Sequence, residues 1–257
     1  MKFEIPMSEP DFPIESIPNP LHGPPCAPHA LPREQNPWLA PILPFAISLA
    51  GGILCLRAAG PTLGLFLSGL LLVAFITGPL IVAEKTWLGR ALCVFGIIHG
   101  VAIVWLYAAL KIELDPSLLA ACYLTLASFV LALAGLTAFL HPLGVGAGAM
   151  TTLLATAWLT WPIWLSPALH GARGEHLVAW LLPANPIFAA NGMLRLQEGM
   201  GIWNERSLAY NLTTLQDEVL YSLPTSVLPC VLLHVGIAVS CVLPAFWNTT
   251  RKRRSPS

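Results

Sequence analysis

Five stretches of 20 residues or more contain no Asp, Glu, Lys or Arg at all: residues 37–56, 58–83, 91–110, 116–166 and 219–250. Nothing else in the chain limits its fold so strongly. About 20 apolar residues in a helix cross the hydrocarbon layer of a bilayer, and charges are excluded from it. With 56% hydrophobic and 10% charged residues, the composition lies outside the range of soluble domains. The fourth stretch is long enough for two spans, with His141-Pro142-Leu143-Gly144 as the turn between them. The expected fold is therefore all-α and polytopic. Its six transmembrane helices are expected near 38–58, 61–83, 88–110, 117–140, 143–165 and 222–246.

The chain divides accordingly. Residues 1–37 hold ten prolines and no helical or strand period, and are expected to form a proline-rich cytoplasmic tail rather than a cleaved signal or transit peptide. Residues 38–250 make the transmembrane domain, with an external segment at 167–220. Residues 251–257 make a basic cytoplasmic tail. Of the thirteen basic residues, eight (Lys2, Arg33, Lys85, Arg90 and Arg251 to Arg254) lie inside if both ends are cytoplasmic. Five (Arg57, Lys111, Arg173, Arg195 and Arg206) then lie outside. That bias predicts N-in, C-in insertion. Thirteen acidic residues cancel the basic ones, so no nucleic-acid partner is implied.

The stretch from Thr160 to Arg195 interrupts the regular pattern. An apolar span ends at Trp161-Pro162, and a polar loop follows with His170, Arg173, Glu175 and His176. A second apolar run then carries Pro183-Ala184-Asn185-Pro186 at its middle. Each proline removes a backbone donor and disfavours helix in the residue before it, so this run is too broken to span a bilayer alone. Broken backbone at membrane depth needs protein around it, and a re-entrant external hairpin between helices five and six is expected.

Few residues suggest chemistry. His99 and His234 fall inside predicted spans, where ionisable groups are functional candidates, and a facing pair would suit haem. Asp217-Glu218 with Arg206, on an expected external amphipathic helix near 202–220, is the one constellation that suits a lipid-phosphate enzyme. His22, Cys26 and His29 lack a fourth ligand for zinc, and the six dispersed cysteines show no disulfide framework. No phosphate-binding Gly-x-x-x-x-Gly-Lys-Ser/Thr loop is present, so any nucleotide hydrolysis is expected from another polypeptide. No catalytic signature accompanies these residues, and neither a catalytic site nor a cofactor is expected in this chain.

The architecture resembles the membrane (permease) subunit of type-2 ABC exporters. The resemblance rests on Trp161-Pro162-Ile163-Trp164, then Asn185-Pro186 and Arg195, where that family has a proline-containing helix end, a short loop and a broken apolar hairpin. A second match is Gly78-Pro79, with Glu84-Lys85 and Gly89 after it, in a cytoplasmic connection. The amphipathic helix that usually opens such permeases has no counterpart in the proline-rich tail. The resemblance implies alternating access driven by a separate cytoplasmic ATPase, which binds the ATP, and a second permease copy or a related permease. Glu84, Lys85 and Arg90 would couple to the ATPase. Pro183, Asn185, Pro186 and Arg195 would form the external gate for a hydrophobic or amphipathic substrate. A bacterial inner membrane is the expected location. The competing readings are an integral-membrane enzyme or haem-bearing redox subunit, and a structural subunit whose tail docks a soluble partner.

Overall fold

The computed structural model describes residues 40–165, 171–196 and 222–254, apart from the side chains of 63, 171–173 and 244–254. The proline-rich tail, the zinc-like trio at 22–29, and the 202–220 segment with Arg206, Asp217 and Glu218 lie outside the described residues. Those described are helical, with no strand among them. Helices α1 (Ile42–Ala59), α2 (Leu63–Ala83), α3 (Trp87–Lys111), α4 (Pro116–Phe139) and α5 (Gly146–Leu165) follow one another. After them come α6 (Gly171–Ala184), α7 (Pro186–Leu194) and α8 (Leu228–Arg254).

Helices α1 to α4 are long and apolar enough to cross a membrane. α5 has 20 residues, but threonine, glycine and tryptophan dilute its apolar character. The apolar part of α8 is shorter, Leu228–Leu243. Large apolar side chains point outward from most of these helices, among them Leu54, Phe75, Leu110, Leu153 and Leu243. A surface of this kind is unusual for a protein in water and ordinary for one in lipid. The fold is that of a multi-pass membrane protein.

The expected helix ends were displaced by local turn chemistry. α5 starts at Gly146 rather than 143 because His141–Leu143 forms a 3-10 turn closed by Gly144 at φ 60°, a conformation glycine adopts without strain. α8 starts at Leu228 rather than 222, after a non-helical stretch holding Pro224, and continues to Arg254 through the basic segment expected as a tail. At the other turns, caps set the ends. Thr86 Oγ1 accepts the Gly89 N–H at 2.9 Å to start α3, and Asp115 Oδ1 accepts the Ser117 N–H at 2.7 Å to start α4.

The Asp115 cap has a pH signature. Hydrogen bonds from Ser117, side chain and backbone, hold its carboxyl below the usual carboxylate range. A carboxyl depressed in the folded state contributes stability above its unfolded pKa and loses it as pH falls through the folded value. Acid titration of unfolding is expected to show this loss in wild type and not in Asp115→Asn, which keeps a capping oxygen without the charge. Parallel titration curves for the two proteins would remove the cap from the account.

Interior packing relies on small residues. Gly96 and Gly100 on α3 lie against the α1 backbone, where an added Cβ would come within 2.6 Å of Pro41 O and 2.8 Å of Phe45 O respectively. Gly135 of α4 meets the Ala238 backbone of α8, and Gly78 of α2 meets Gly148 of α5. Close approach of this kind replaces the hydrophobic drive that lipid removes. Across α4 and α5, Thr137 Oγ1 and Thr151 Oγ1 lie 3.0 Å apart while each also reaches a carbonyl of its own helix. The remaining core is apolar, built around Phe66, Trp105, Leu126 and Phe129.

Candidate functional site

The α6–α7 pair is bent by 78° at Ala184-Asn185. The cause is local. Pro186 is the first residue of α7, where its missing N–H costs nothing, and Asn185 caps that helix by accepting the Ile187 and Phe188 N–H groups at 2.9 and 3.4 Å. The other end of the same amide does something else. Asn185 Nδ2 donates to Trp158 O at 2.8 Å and Leu159 O at 3.3 Å, both on α5.

Trp158 is the residue four before Pro162. A proline inside a helix leaves the carbonyl four residues earlier without its normal donor. The Asn185 amide therefore fills a vacancy that Pro162 opens, and it does so fully buried. Its orientation is unambiguous, since backbone carbonyls only accept and backbone N–H groups only donate. The second helix proline follows a weaker version of the pattern. Pro79 frees Phe75 O on α2, and Thr152 Oγ1 of α5 approaches that oxygen at 3.5 Å.

With this joint made, α7 inserts against α4 and α2, burying Pro186, Phe188, Ala189, Ala190, Asn191, Gly192 and Leu194. A small apolar cluster of Trp161, Val178, Leu182, Phe188 and Leu223 holds α5, α6 and α7 together. The chain entering α8 crosses directly over Gly192, where a Cβ would collide with Pro224 O. Beside the pair is a cavity of about 460 Å³ lined by Pro183, Arg195, Ser222, Thr225, Ser226 and Pro229, among others. Its lining is more polar than those of the cavities beside Arg90, His99 and His234. Of the four residues expected at an external gate, Pro183 and Arg195 thus line a cavity, while Asn185 and Pro186 form the buried joint behind it. Glu175 and His176 sit on α6, half-buried and exposed.

At the opposite end of the bundle, the α2–α3 connection is compact. Arg90 Nε donates to Glu84 O at 3.1 Å, and the Arg90 guanidinium lies 5.6 Å from the Trp87 ring centroid. The Glu84 carboxylate rests against Gly89, where a Cβ would come within 2.5 Å of it. Glu84 and Arg90 therefore close the turn on itself, and Lys85 is exposed at its tip.

The two membrane histidines are not brought together. His99 is half-buried, stacked on Phe95 at 3.9 Å, and lines a cavity with Tyr123 and Leu106. His234 is 2% exposed and lies edge-on to Phe129 at 5.4 Å in a different cavity. No cluster of three metal-ligating side chains occurs among the described residues.

No family model, curated protein or solved structure matches this chain. The function must be argued from its own geometry.

Proposed function

We propose that the chain is the permease subunit of an ATP-driven exporter, and that the bent α6–α7 pair is its external gate. The observation carrying this reading is the joint at Asn185, which starts the buried α7 and ties it to the proline-interrupted α5. In this reading α5 and α8 complete a six-span topology with both ends cytoplasmic, in a bacterial inner membrane. α6 and α7 then re-enter from outside, and the charged α2–α3 turn faces the cytoplasm. A gate that must seal without exposing backbone to lipid needs its free carbonyls filled from within the protein, which Asn185 supports. The polar cavity holding Arg195 would receive the head of an amphipathic substrate as it leaves.

ATP closure in a separate P-loop subunit would reach the helices through the α2–α3 turn. Because Glu84 and Arg90 are committed within the turn, Lys85 is the group presented to a partner. Lys85→Glu is expected to abolish copurification of the ATPase, leaving the thermal midpoint of the permease within about 2 °C of wild type, as surface changes usually do. Arg90→Ala is expected to lower both. The deciding measurement is purification from native membranes with every partner identified. A stoichiometric P-loop ATPase supports the exporter reading, and redox subunits or no partner overturn it. The competing haem reading draws no support from the geometry, since His99 and His234 line separate cavities.

A further inference from the structure

α8 runs parallel to α4, since His234 packs on Phe129 and Ala238 on Gly135. Both helices therefore end where α2 turns into α3, and Ile81, Trp87, Ala138 and Leu243 line one groove there. The same end of the bundle carries Lys85, Arg90 and, on the last turn of α8, Arg251, Lys252, Arg253 and Arg254. Glu84 is the only acid among the described residues at that end. The opposite end is mixed, with Arg57, Lys111, Arg173 and Arg195 against Glu113, Asp115 and Glu175. Positive charge gathered at one end of a membrane-spanning chain attracts the anionic lipids of the leaflet it meets.

The groove is long, narrow and open at the side. Its floor is α4, where Gly135 and Ala138 leave space that larger side chains would fill, and α3 and α8 form its walls. Along α8 it runs from Val235 to Leu243, about 12 Å of helix. A volume of about 540 Å³ over that length leaves a cross-section of about 45 Å², into which a helix about 10 Å across does not fit. Leu131 and Val239 are exposed at its rim, so it opens toward lipid. A single hydrocarbon chain is the shape that remains.

The mouth of the groove supplies the rest of the ligand. Arg90 and Trp87 are its only polar-tipped lining side chains, and both groups only donate. The guanidinium lies 5.6 Å from the indole centroid, and Trp87 is 45% exposed, as an aromatic at headgroup level is. Arg90 is held in the turn through Nε alone. Its two Nη groups have no protein partner among the described residues, and neither is sealed from the surroundings. The Glu84 carboxylate rests against Gly89 instead. A guanidinium with its fork open suits a phosphate.

We propose that this groove is a site for an anionic phospholipid, with one acyl chain lying between α3 and α8 and the phosphate accepting from the Arg90 Nη groups. Zwitterionic lipid brings the same chain and phosphate with an added cation, which the positive charge at this end disfavours. The site lies at the far end of the bundle from the Asn185 joint, and it stands whether or not an ATPase copurifies.

The test is native mass spectrometry of the full-length chain in detergent, titrated with dioleoyl phosphatidylglycerol or dioleoyl phosphatidylcholine, which share their chains and phosphate. One saturable phosphatidylglycerol is expected, bound about tenfold more tightly than phosphatidylcholine, the value of a hydrogen bond to a charged group. Arg90→Gln keeps a donor for the Glu84 carbonyl and loses the charge, and is expected to erase that preference. Val239→Trp fills the groove from an exposed rim position and is expected to weaken both lipids. It decides the matter, together with the wild-type comparison, if Arg90→Gln fails to fold. Equal affinity for the two lipids would reduce the groove to an apolar surface and overturn the proposal. A preference that survives in folded Arg90→Gln would overturn it by placing the lipid on residues 251–254. Unchanged binding by Val239→Trp would overturn it too.

Discussion

Asn185→Ala is expected to destabilise the protein by about 3 kcal/mol, and Pro162→Ala is expected to recover part of that loss when the two are combined. One amide serves two helices. On the α7 side, losing the cap oxygen costs about 1 kcal/mol. On the α5 side, the Trp158 carbonyl loses the donor at 2.8 Å that stood in for the missing proline N–H. A buried acceptor left alone costs about 1–3 kcal/mol, and no water reaches this fully buried position to replace it. Alanine at 162 restores a backbone N–H four residues from Trp158, so the double variant repairs the α5 half and leaves the cap unrepaired. Two residues that share an acceptor are coupled, and the interaction energy of the cycle should exceed about 1 kcal/mol. Unfolding of the four proteins in a mixed-micelle titration reads it directly. Additive losses would mean that Asn185 acts only as a cap. If the exporter reading holds, Asn185→Ala should also leave the gate leaky, because the hairpin loses its only amide tether to α5 among the described contacts.

Much of this arrangement was legible residue by residue and illegible as a contact. Asn185-Pro186 is a helix start in any sequence, a capping side chain followed by the residue best suited to a first turn. Pro162 is a helix interruption in any sequence. They meet through the bond from Asn185 to Trp158 O, 27 residues back, and no spacing rule connects an asparagine to a carbonyl at that distance. The charge-free stretches placed α1 to α4 within a few residues, since apolarity at that length has few other outcomes. Helix ends moved where prolines and glycines decided them, as at Gly144 and Leu228. The expected roles of Glu84 and Arg90 rested on the resemblance and on their place in a short charged connection, whereas the fold directs Arg90 back onto the Glu84 carbonyl. His234 was visible as a histidine in a span, but only the folded helix puts the Cys230 carbonyl beside it.

A signal that was present and unread is Gly96-Ile97-Ile98-His99-Gly100, a pair of glycines four apart that puts both on one face of α3. Gly100→Leu is expected to release α1 from the bundle, a loss of about 3 kcal/mol. A Cβ at position 100 would lie 2.7 Å from Ser48 Cβ, 2.8 Å from Phe45 O and 3.0 Å from Leu49 N. Two of those three atoms are backbone, so no rotamer change relieves the overlap and the helices must move apart. α1 has little else to hold it, with only 17% of its span buried. Its outer face, including Ile42, Leu43 and Leu54, already meets the surroundings. Ser48 donates to Pro44 O within its own helix at 2.7 Å, so departure from α3 strands no polar group. The helix should therefore stay inserted and helical while losing its place, because nothing in lipid forces it to unfold. Spin labels at the exposed positions Leu54 on α1 and Leu106 on α3 would report this as a broadened, longer distance distribution, with helical content unchanged. Gly100→Ala, which meets the same atoms with one carbon, should broaden it less. A narrow distribution in Gly100→Leu would show that α1 is held through α2 rather than through the two glycines.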